Sequence, residues 1–299
     1  MVVSRSFADL VGPGRVVVAD GAMGTSLMAA GLPAGAAPDT WNLDPAGAAH
    51  VRATHRAHRA AGAAILLTNT FGANPVRLRL ADGGEAAERA AAICAAGVAL
   101  ARAEADGALV AGSIGPTGVL LEPYGDLGVA DATAAFAVQA RALAEAGADL
   151  AWIETMTDLT EALAALDAVR SVAPDLPIVV TLAFEGARTI MGVAPGDAAT
   201  RLAARGVAAA GANCGGGYES VERAIAGMRA AVPDLLLVAK ANAGMPSAGA
   251  DGRSTFPGTP ADAAAHARRV VGLGASVVGG CCVSTPEHVA AIAGALRAG

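Results

Sequence analysis

The stretch Ser276-Val277-Val278-Gly279-Gly280-Cys281-Cys282 indicates the fold of this 299-residue chain. A short β-branched run ends in two glycines and then delivers two adjacent cysteines, a pattern typical of a buried strand that leads into a pocket. An apolar run over residues 207–210 ends in the same way, in Gly211-Ala212-Asn213-Cys214. Both stretches predict strands whose carboxyl ends carry functional side chains.

Short aliphatic runs of this kind alternate with alanine-rich amphipathic stretches throughout the chain, without a break in composition. Strands are predicted over residues 15–19, 64–68, 108–111, 150–154, 178–183, 207–210, 235–240 and 276–279. Helices are predicted between them, including residues 131–146, 158–171, 219–231, 260–272 and 285–298. This repetition predicts an α/β fold, a (β/α)8 TIM barrel formed as a single domain by residues 1–299, rather than an open doubly wound sheet.

Composition and charge narrow the kinds of ligand. Hydrophobic residues make up 54% of the chain, which is enough for a large core. The net charge of -6 comes from interspersed acidic and basic residues, so the sequence predicts neither a nucleic-acid partner nor an anionic membrane surface. No apolar stretch reaches the roughly 18 residues of a membrane span, and residues 1–14 lack the apolar core of a signal peptide. We therefore expect a cytoplasmic protein with a small-molecule substrate.

Three of the four cysteines follow predicted strands: Cys214, Cys281 and Cys282. Three thiolates suit a catalytic zinc site, because structural zinc is closed by four protein ligands whereas catalytic zinc keeps one position open. The alternatives are a strained disulfide within the adjacent pair and plain apolar packing. Cys94 lies in an alanine-rich helical stretch and is predicted to pack in the core.

Polar and glycine-rich clusters follow most of the predicted strands. The carboxyl ends of the strands form the face of a barrel that carries the active site. The clusters occupy residues 20–25, 68–74, 112–118, 154–158, 213–214, 242–244 and 281–282. The sequence therefore predicts one pocket at this face, together with the metal.

In chain order these clusters contain DGAMGT, TNTFGAN, GSIGPTG, IET, GANC and NAG, and finally GGCC followed by TPEH. This ordered set resembles the homocysteine S-methyltransferase family over residues 20–292. Within that family it is most similar to the homocysteine-binding module of cobalamin-dependent methionine synthases, and betaine–homocysteine methyltransferase is a further member. The resemblance implies transfer of a methyl group to L-homocysteine to form methionine, with Zn²⁺ bound by Cys214, Cys281 and Cys282.

Thiol chemistry explains why such a reaction needs a metal. A free thiol has a pKa of about 8.5 and is mostly protonated at neutral pH, whereas a zinc-bound thiol is deprotonated. A zinc ion that already holds three thiolates carries net negative charge once the substrate thiolate binds, so the bound sulfur stays nucleophilic. We therefore expect the metal to activate the methyl acceptor rather than a water molecule.

Further residues fit an amino acid that carries the reactive thiol. Asp20 and Glu154 are expected to accept hydrogen bonds from the α-ammonium group, and the alternative for each is a plain hydrogen-bonding role at the rim of the barrel. The turn that contains Gly21 and Met23 is expected to direct backbone N–H groups at the α-carboxylate, or else to be a simple turn. Asn242 is a candidate fourth zinc ligand in the absence of substrate, or a turn cap.

The methyl donor is left open between a methyl-corrinoid on a separate protein and S-methylmethionine. A quaternary ammonium donor such as betaine calls for an aromatic cage, and only Trp41 and Phe71 are candidates for one. Thr155 stands where betaine-using members carry tyrosine, which disfavours betaine further. Val283 is a second departure, since the family usually has glycine after the cysteine pair.

Five histidines are expected to lie on solvated helix faces rather than in a metal site: His50, His55, His58, His266 and His288. Two other functions compete with methyl transfer. One is a zinc barrel hydrolase in which the metal activates water. The other is a non-catalytic subunit that carries homocysteine to a corrinoid partner.

Overall fold

The computed structural model describes residues 6–12, 14–33, 35–82, 88–244, 247–248, 254–255 and 257–297. Eight parallel strands form one sheet and are named in chain order. Their bounds are Val17–Val18 (β1), Ile65–Leu67 (β2), Leu109–Ile114 (β3), Leu150–Met156 (β4), Ile178–Leu182 (β5), Ala209–Asn213 (β6), Leu237–Ala241 (β7) and Ala275–Gly280 (β8). Each overlaps a predicted strand, which confirms the predicted alternation.

The eight strands curl into a nearly closed barrel. Neighbouring strands pair in the order β1-β8-β7-β6-β5-β4-β3-β2. Ala19, directly after β1, forms a parallel bridge with Ile65 of β2, so the two edge strands meet. The predicted (β/α)8 TIM barrel is therefore confirmed.

Most helices surround the barrel on the outside, whereas Phe7 of the first helix packs against the residues that fill the barrel. The α-helices of the described residues are Phe7–Leu10, Gly24–Ala29, Pro45–Ala60, Pro75–Asp82, Ala90–Glu104, Val129–Glu145, Leu159–Val172, Pro195–Ala204, Gly217–Ala231, Pro260–Gly272 and Pro286–Arg297, with a 3-10 helix at Pro38–Asn42. A short antiparallel pair, Ser247–Ala248 with Ser254–Thr255, lies between β7 and the next helix. No helix among the described residues is both long and apolar enough to span a membrane.

Alternate residues of each strand point into the barrel, which explains how polar groups reach its upper end. Trp152 of β4 and Val238 of β7 belong to the buried apolar filling of the barrel. The next residues of the same parity are Glu154 and Lys240, and the ammonium nitrogen of Lys240 lies 5.5 Å from the centroid of the Trp152 ring. In β6 the same period carries Asn213 to the end of the strand. The polar side chains at the carboxyl ends of these strands therefore lie directly above the apolar filling of the barrel.

Candidate active site

A cavity of about 630 Å³ opens at the carboxyl ends of the strands. Its volume lies within the range of small-molecule sites. Loops after β1, β2, β3, β6 and β8 contribute to its lining, together with residues at the carboxyl ends of β4 and β7. The sequence-predicted site residues that line it are Asp20, Gly21, Met23, Glu154, Cys214, Cys281 and Cys282. The structure therefore brings together the residues that the sequence placed after separate strands.

The three cysteines converge in this cavity. Their Sγ atoms all lie within 4.8 Å of one another, and the Cys214 and Cys282 sulfurs are 3.8 Å apart. Two sulfurs bound at about 2.3 Å in tetrahedral geometry lie about 3.8 Å from each other, so the cluster fits a zinc ion. Contact with the Cys214 thiol raises the pKa of Cys281, and burial raises it further. Metal binding at this cluster must therefore displace thiol protons.

Backbone strain is concentrated around the cysteines. Cys214 and Val283 have positive φ angles of 57° and 62°, and Thr155, which follows Glu154, has a φ of 62°. Left-handed conformations are unfavourable for these residue types and often occur at functional sites. The Val283 angle accounts for the glycine that usually occupies this position, because glycine adopts this conformation without a steric cost.

Two asparagines hold the cysteine loops in place. The Asn213 amide accepts from the Thr155 backbone N–H at 2.8 Å and donates to the Thr155 hydroxyl at 2.7 Å, and its nitrogen lies 3.6 Å from the Cys281 sulfur. The Asn242 amide accepts from the Cys282 N–H and donates to the Gly215 carbonyl, both at 3.1 Å. Asn242 therefore ties the two cysteine loops together in this structure, and its role as a fourth zinc ligand stays a prediction.

Asp20 has a cationic partner that the sequence analysis missed. The Lys240 ammonium donates to Asp20 Oδ1 at 2.6 Å, and the Leu67 backbone N–H donates to Oδ2 at 2.7 Å. Both side chains of the ion pair are almost completely buried. Although burial alone would lower the pKa of Lys240, the nearby charges of Asp20 and Glu154 raise it above its usual range. The lysine therefore stays charged beneath the cavity.

Glu154 lies beside this pair but has no ion-pair partner within the described part of the chain. Its Oε1 accepts from the Ser113 hydroxyl at 2.6 Å. Burial raises the pKa of Glu154, partly offset by the Lys240 charge and the Ser113 hydrogen bond. A buried carboxylate of this kind gains from a cationic ligand, which supports the expected contact with an ammonium group.

The turn after β1 lines the cavity but has its own internal bonds. The Ala22 N–H donates to the Ser284 carbonyl at 2.9 Å, and the Thr25 hydroxyl accepts from the Val283 N–H at 3.1 Å. Gly21 is required here, because a Cβ at this position would lie 2.4 Å from the Ser284 carbonyl oxygen and 2.7 Å from the His58 ring. Binding of a carboxylate by this turn stays a prediction.

Comparison with known proteins decides which family this site represents. The family described as homocysteine S-methyltransferase matches residues 17–296. The chain belongs to the homocysteine S-methyltransferase family. The match covers every barrel strand and all three clustered cysteines, so the predicted family resemblance is confirmed.

Individual members are similar over nearly the whole chain. Methionine synthase of Mycobacterium tuberculosis (strain ATCC 25618 / H37Rv) is 32% identical over 94% of this chain, and the match spans 25% of that protein. The homocysteine methyltransferase MmuM from Escherichia coli, in its oxidised form, superimposes with a TM-score of 0.77 and 26% identity, covering 93% of this chain and 95% of that chain. Its metallated form gives a TM-score of 0.75 at 24% identity, covering 94% and 96%. The chain thus spans about a quarter of the curated relative.

The expectation of solvated histidines is wrong for four of the five. His50 is exposed, but the other four are buried: His55, His58, His266 and His288. Burial lowers the pKa of His55 to about 4, so this side chain is neutral inside the protein. Their spacing on amphipathic helices did not show which side faces the barrel. They remain outside the candidate metal cluster of the described residues.

Other residues of this homocysteine S-methyltransferase fold behave as the sequence predicts or add to the site. Cys94 is completely buried in the apolar core, as predicted. Trp41 is absent from the cavity lining, and Phe71 is the aromatic residue that the described lining contains. Lys240, Ser113, Asp39 and Arg77 also line the cavity, although the sequence analysis did not select them. In the sequence, only their charge distinguished Lys240, Asp39 and Arg77, and only its place in GSIGPTG distinguished Ser113.

Proposed function

We propose that this protein transfers a methyl group from a donor to the thiolate of L-homocysteine and forms methionine, with Zn²⁺ held by Cys214, Cys281 and Cys282. The observation that carries the proposal is that three thiols meet in one cavity with the Glu154 carboxylate, which has no ion-pair partner among the described residues. Bound zinc would supply deprotonation of the acceptor thiol at neutral pH. The similar homocysteine methyltransferase MmuM from Escherichia coli has a metallated form, which supports a metal in this fold.

The chain's own residues orient the acceptor amino acid. The Glu154 carboxylate lies beside the cysteine cluster and is available to accept from the α-ammonium group. Asp20 is a weaker candidate for that contact, because Lys240 and the Leu67 N–H already occupy one acceptor position on each of its oxygens. Each carboxylate oxygen has two lone pairs, so Asp20 retains acceptor capacity. Asn213 contacts both Thr155 and Cys281, which fixes the carboxyl end of β4 relative to the loop that carries Cys281.

The proposed reaction is a direct displacement. A lone pair of the homocysteine thiolate forms the new carbon–sulfur bond, while the bond from methyl to the donor breaks and its electron pair leaves with the donor. No water molecule takes part, which distinguishes the proposal from a hydrolase. The lining also disfavours a quaternary ammonium donor, because Phe71 alone does not form an aromatic cage.

The donor is proposed to be either S-methylmethionine or a methyl-corrinoid on a separate protein. The first is a small molecule that fits within a cavity of about 630 Å³. The second is consistent with similarity to one quarter of a methionine synthase, whose remaining length is not matched. A cytoplasmic location is proposed from the reduced state that the cysteine cluster needs.

The first experiment is methionine formation from L-homocysteine by zinc-loaded protein, with S-methyl-L-methionine, glycine betaine and methylcobalamin tested in parallel. We expect turnover with S-methyl-L-methionine or methylcobalamin and none with betaine. Homocysteine binding without turnover on any donor would instead support the carrier function. Zinc-dependent hydrolysis without a thiol acceptor would support the hydrolase.

A further inference from the structure

A second charged pair lies in the cavity wall formed by the loops after β1 and β2. Asp39 belongs to the 3-10 helix Pro38–Asn42, and Arg77 belongs to the helix that follows β2. Both line the same cavity as the three cysteines. In the closed order of the barrel, β2 lies across from β6, which Cys214 directly follows. This wall therefore faces part of the proposed metal site.

Asp39 is buried without a direct cationic partner. Its side chain is 3% exposed, and its Oδ1 accepts from the Gly72 backbone N–H at 2.9 Å. No lysine, arginine or histidine of the described residues forms an ion pair with it. Burial raises the pKa of Asp39 to about 6, against the opposing influence of the Gly72 hydrogen bond and the Arg77 charge. A buried carboxylate in this condition gains from a ligand that brings a positive charge.

Arg77 supplies the opposite charge next to Asp39. Its guanidinium lies 5.0 Å from the centroid of the Phe71 ring, and Nη1 donates to the Pro116 carbonyl at 3.3 Å. No carboxylate of the described residues forms an ion pair with it. These two contacts restrain the guanidinium, whose planar set of donors matches the geometry of a carboxylate.

Gly72 allows the two charged side chains to approach each other closely. A Cβ at Gly72 would lie 2.9 Å from Asp39 Oδ2 and 3.2 Å from Arg77 Nε. Both charged groups therefore lie close to Gly72, without forming an ion pair with each other. Two neighbouring opposite charges that do not pair suit a ligand with an ammonium group and a carboxylate on the same carbon.

We propose that Asp39 and Arg77 form a second zwitterion-binding subsite, in which Asp39 accepts from an ammonium group and Arg77 binds the neighbouring carboxylate. This inference rests on the proposed function in one respect, namely that the occupant is the methyl donor. The donor class is then an α-amino acid whose methyl group sits on a sulfonium sulfur. On transfer, the bond from methyl to the sulfonium breaks, its electron pair remains on that sulfur, and the donor leaves as a neutral thioether.

The test measures binding of S-methyl-L-methionine by calorimetry to zinc-loaded protein without homocysteine. Three variants are compared with the wild type: Asp39→Asn, Arg77→Met and Arg79→Met. Asparagine retains an acceptor for the Gly72 N–H, so the loop keeps its hydrogen bond. Arg79 is the matched control, because it lies on the same helix but is exposed and outside the cavity lining.

We expect Asp39→Asn and Arg77→Met each to weaken this binding about tenfold or more, because each removes a charge-assisted hydrogen bond. Arg79→Met should bind as the wild type does. Dimethylsulfonioacetate, which has a carboxylate but no ammonium group, serves as a second probe. Its affinity should fall in Arg77→Met and remain unchanged in Asp39→Asn.

Equal affinities for S-methyl-L-methionine in the wild type and in both cavity variants would overturn the subsite, as would failure of the wild type to bind it. Zinc content and homocysteine affinity are measured on the same samples. If methyl transfer is absent with every donor while binding depends on Asp39 and Arg77, the proposed function fails and the subsite stands. If methyl transfer occurs and neither variant changes its rate, the proposed function stands and the subsite fails.

Discussion

Lys240 and Asp20 form a buried ion pair that crosses the top of the barrel, with a distance of 2.6 Å from the ammonium nitrogen to Oδ1. Lys240 lies in β7 and Asp20 follows β1, so the pair spans the intervening strand β8, which leads into the cysteine pair. Removing one member of a buried pair leaves the other charge without compensation. The ion pair therefore couples the stability of the barrel to the position of a candidate substrate-binding carboxylate.

Replacement of Lys240 by methionine is expected to lower the free energy of unfolding by about 3 kcal/mol or more, since Asp20 would remain buried and unpaired. The double variant Asp20→Asn/Lys240→Met should recover a large part of that loss. Urea denaturation of the three proteins at neutral pH measures both effects. If Lys240→Met is as stable as the wild type, the expectation is wrong, and water or a rearrangement of the site compensates the charge of Asp20.

Replacement of Val283 by glycine is expected to stabilise the protein by about 1 kcal/mol. The φ of 62° is strained for a β-branched residue, whereas glycine adopts it freely, and the gain is reduced by the larger entropy of glycine in the unfolded chain. Thermal denaturation of Val283→Gly, with Val283→Ala as the control that keeps a Cβ, measures the effect. A gain that is no larger for glycine than for alanine would argue against strain as the cause.

Asp39 is expected to make stability depend on pH. Its pKa of about 6 in the folded protein lies above the ordinary value of 3.8, so the folded state binds the Asp39 proton more tightly than the unfolded state does. The resulting gain in the free energy of unfolding is fully present below about pH 4 and is lost as the pH rises through 6. The size of this change is about 3 kcal/mol. Relative to the wild type, Asp39→Asn should therefore become more stable as the pH is raised from 4 to about 7.5.

Chemical denaturation at several pH values between those limits gives the difference between the two proteins directly. The comparison cancels the groups that titrate equally in both. A constant difference across the range would contradict the raised pKa of Asp39.

Replacement of Glu154 by glutamine is expected to weaken homocysteine binding about tenfold or more, because a charge-assisted hydrogen bond to the α-ammonium is lost. The zinc content should not change. Glu161→Gln is a matched control. Glu161 is also a buried glutamate, but it accepts a hydrogen bond from the Thr117 hydroxyl and does not line the cavity. Calorimetric titration with L-homocysteine compares the variants, and an unchanged affinity in Glu154→Gln would remove Glu154 from the site.

Replacement of Cys281 or Cys214 by alanine is expected to abolish both zinc binding and methyl transfer, because two thiolates do not complete the ligand set. Cys94→Ala should retain both, although the loss of a buried side chain lowers its stability by roughly 1 kcal/mol. Metal analysis of purified protein measures the zinc content of each variant. Full zinc occupancy in Cys281→Ala would contradict the site assignment.

Much of the fold was predictable because its determinants are local. The apolar runs that form β7 and β8 show their strand character in a few consecutive residues, and glycines mark where those strands end. Cys214, Cys281 and Cys282 could be assigned to one pocket because parallel strands of a barrel place their carboxyl ends on one face. The burial of Cys94 was also predictable from the local sequence, since the helical residues around it are apolar.

Other features depended on which residues meet in space. The sequence determined that eight strands would alternate with helices and that three cysteines would converge, because side-chain period and strand direction follow from neighbouring residues alone. The tertiary structure decided that Lys240 pairs with Asp20, that His55 and His58 are buried, and that Asp39 stands beside Arg77. Those relationships depend on barrel closure, which sets the dielectric surroundings and charged neighbours of each group through contacts between residues far apart in the chain.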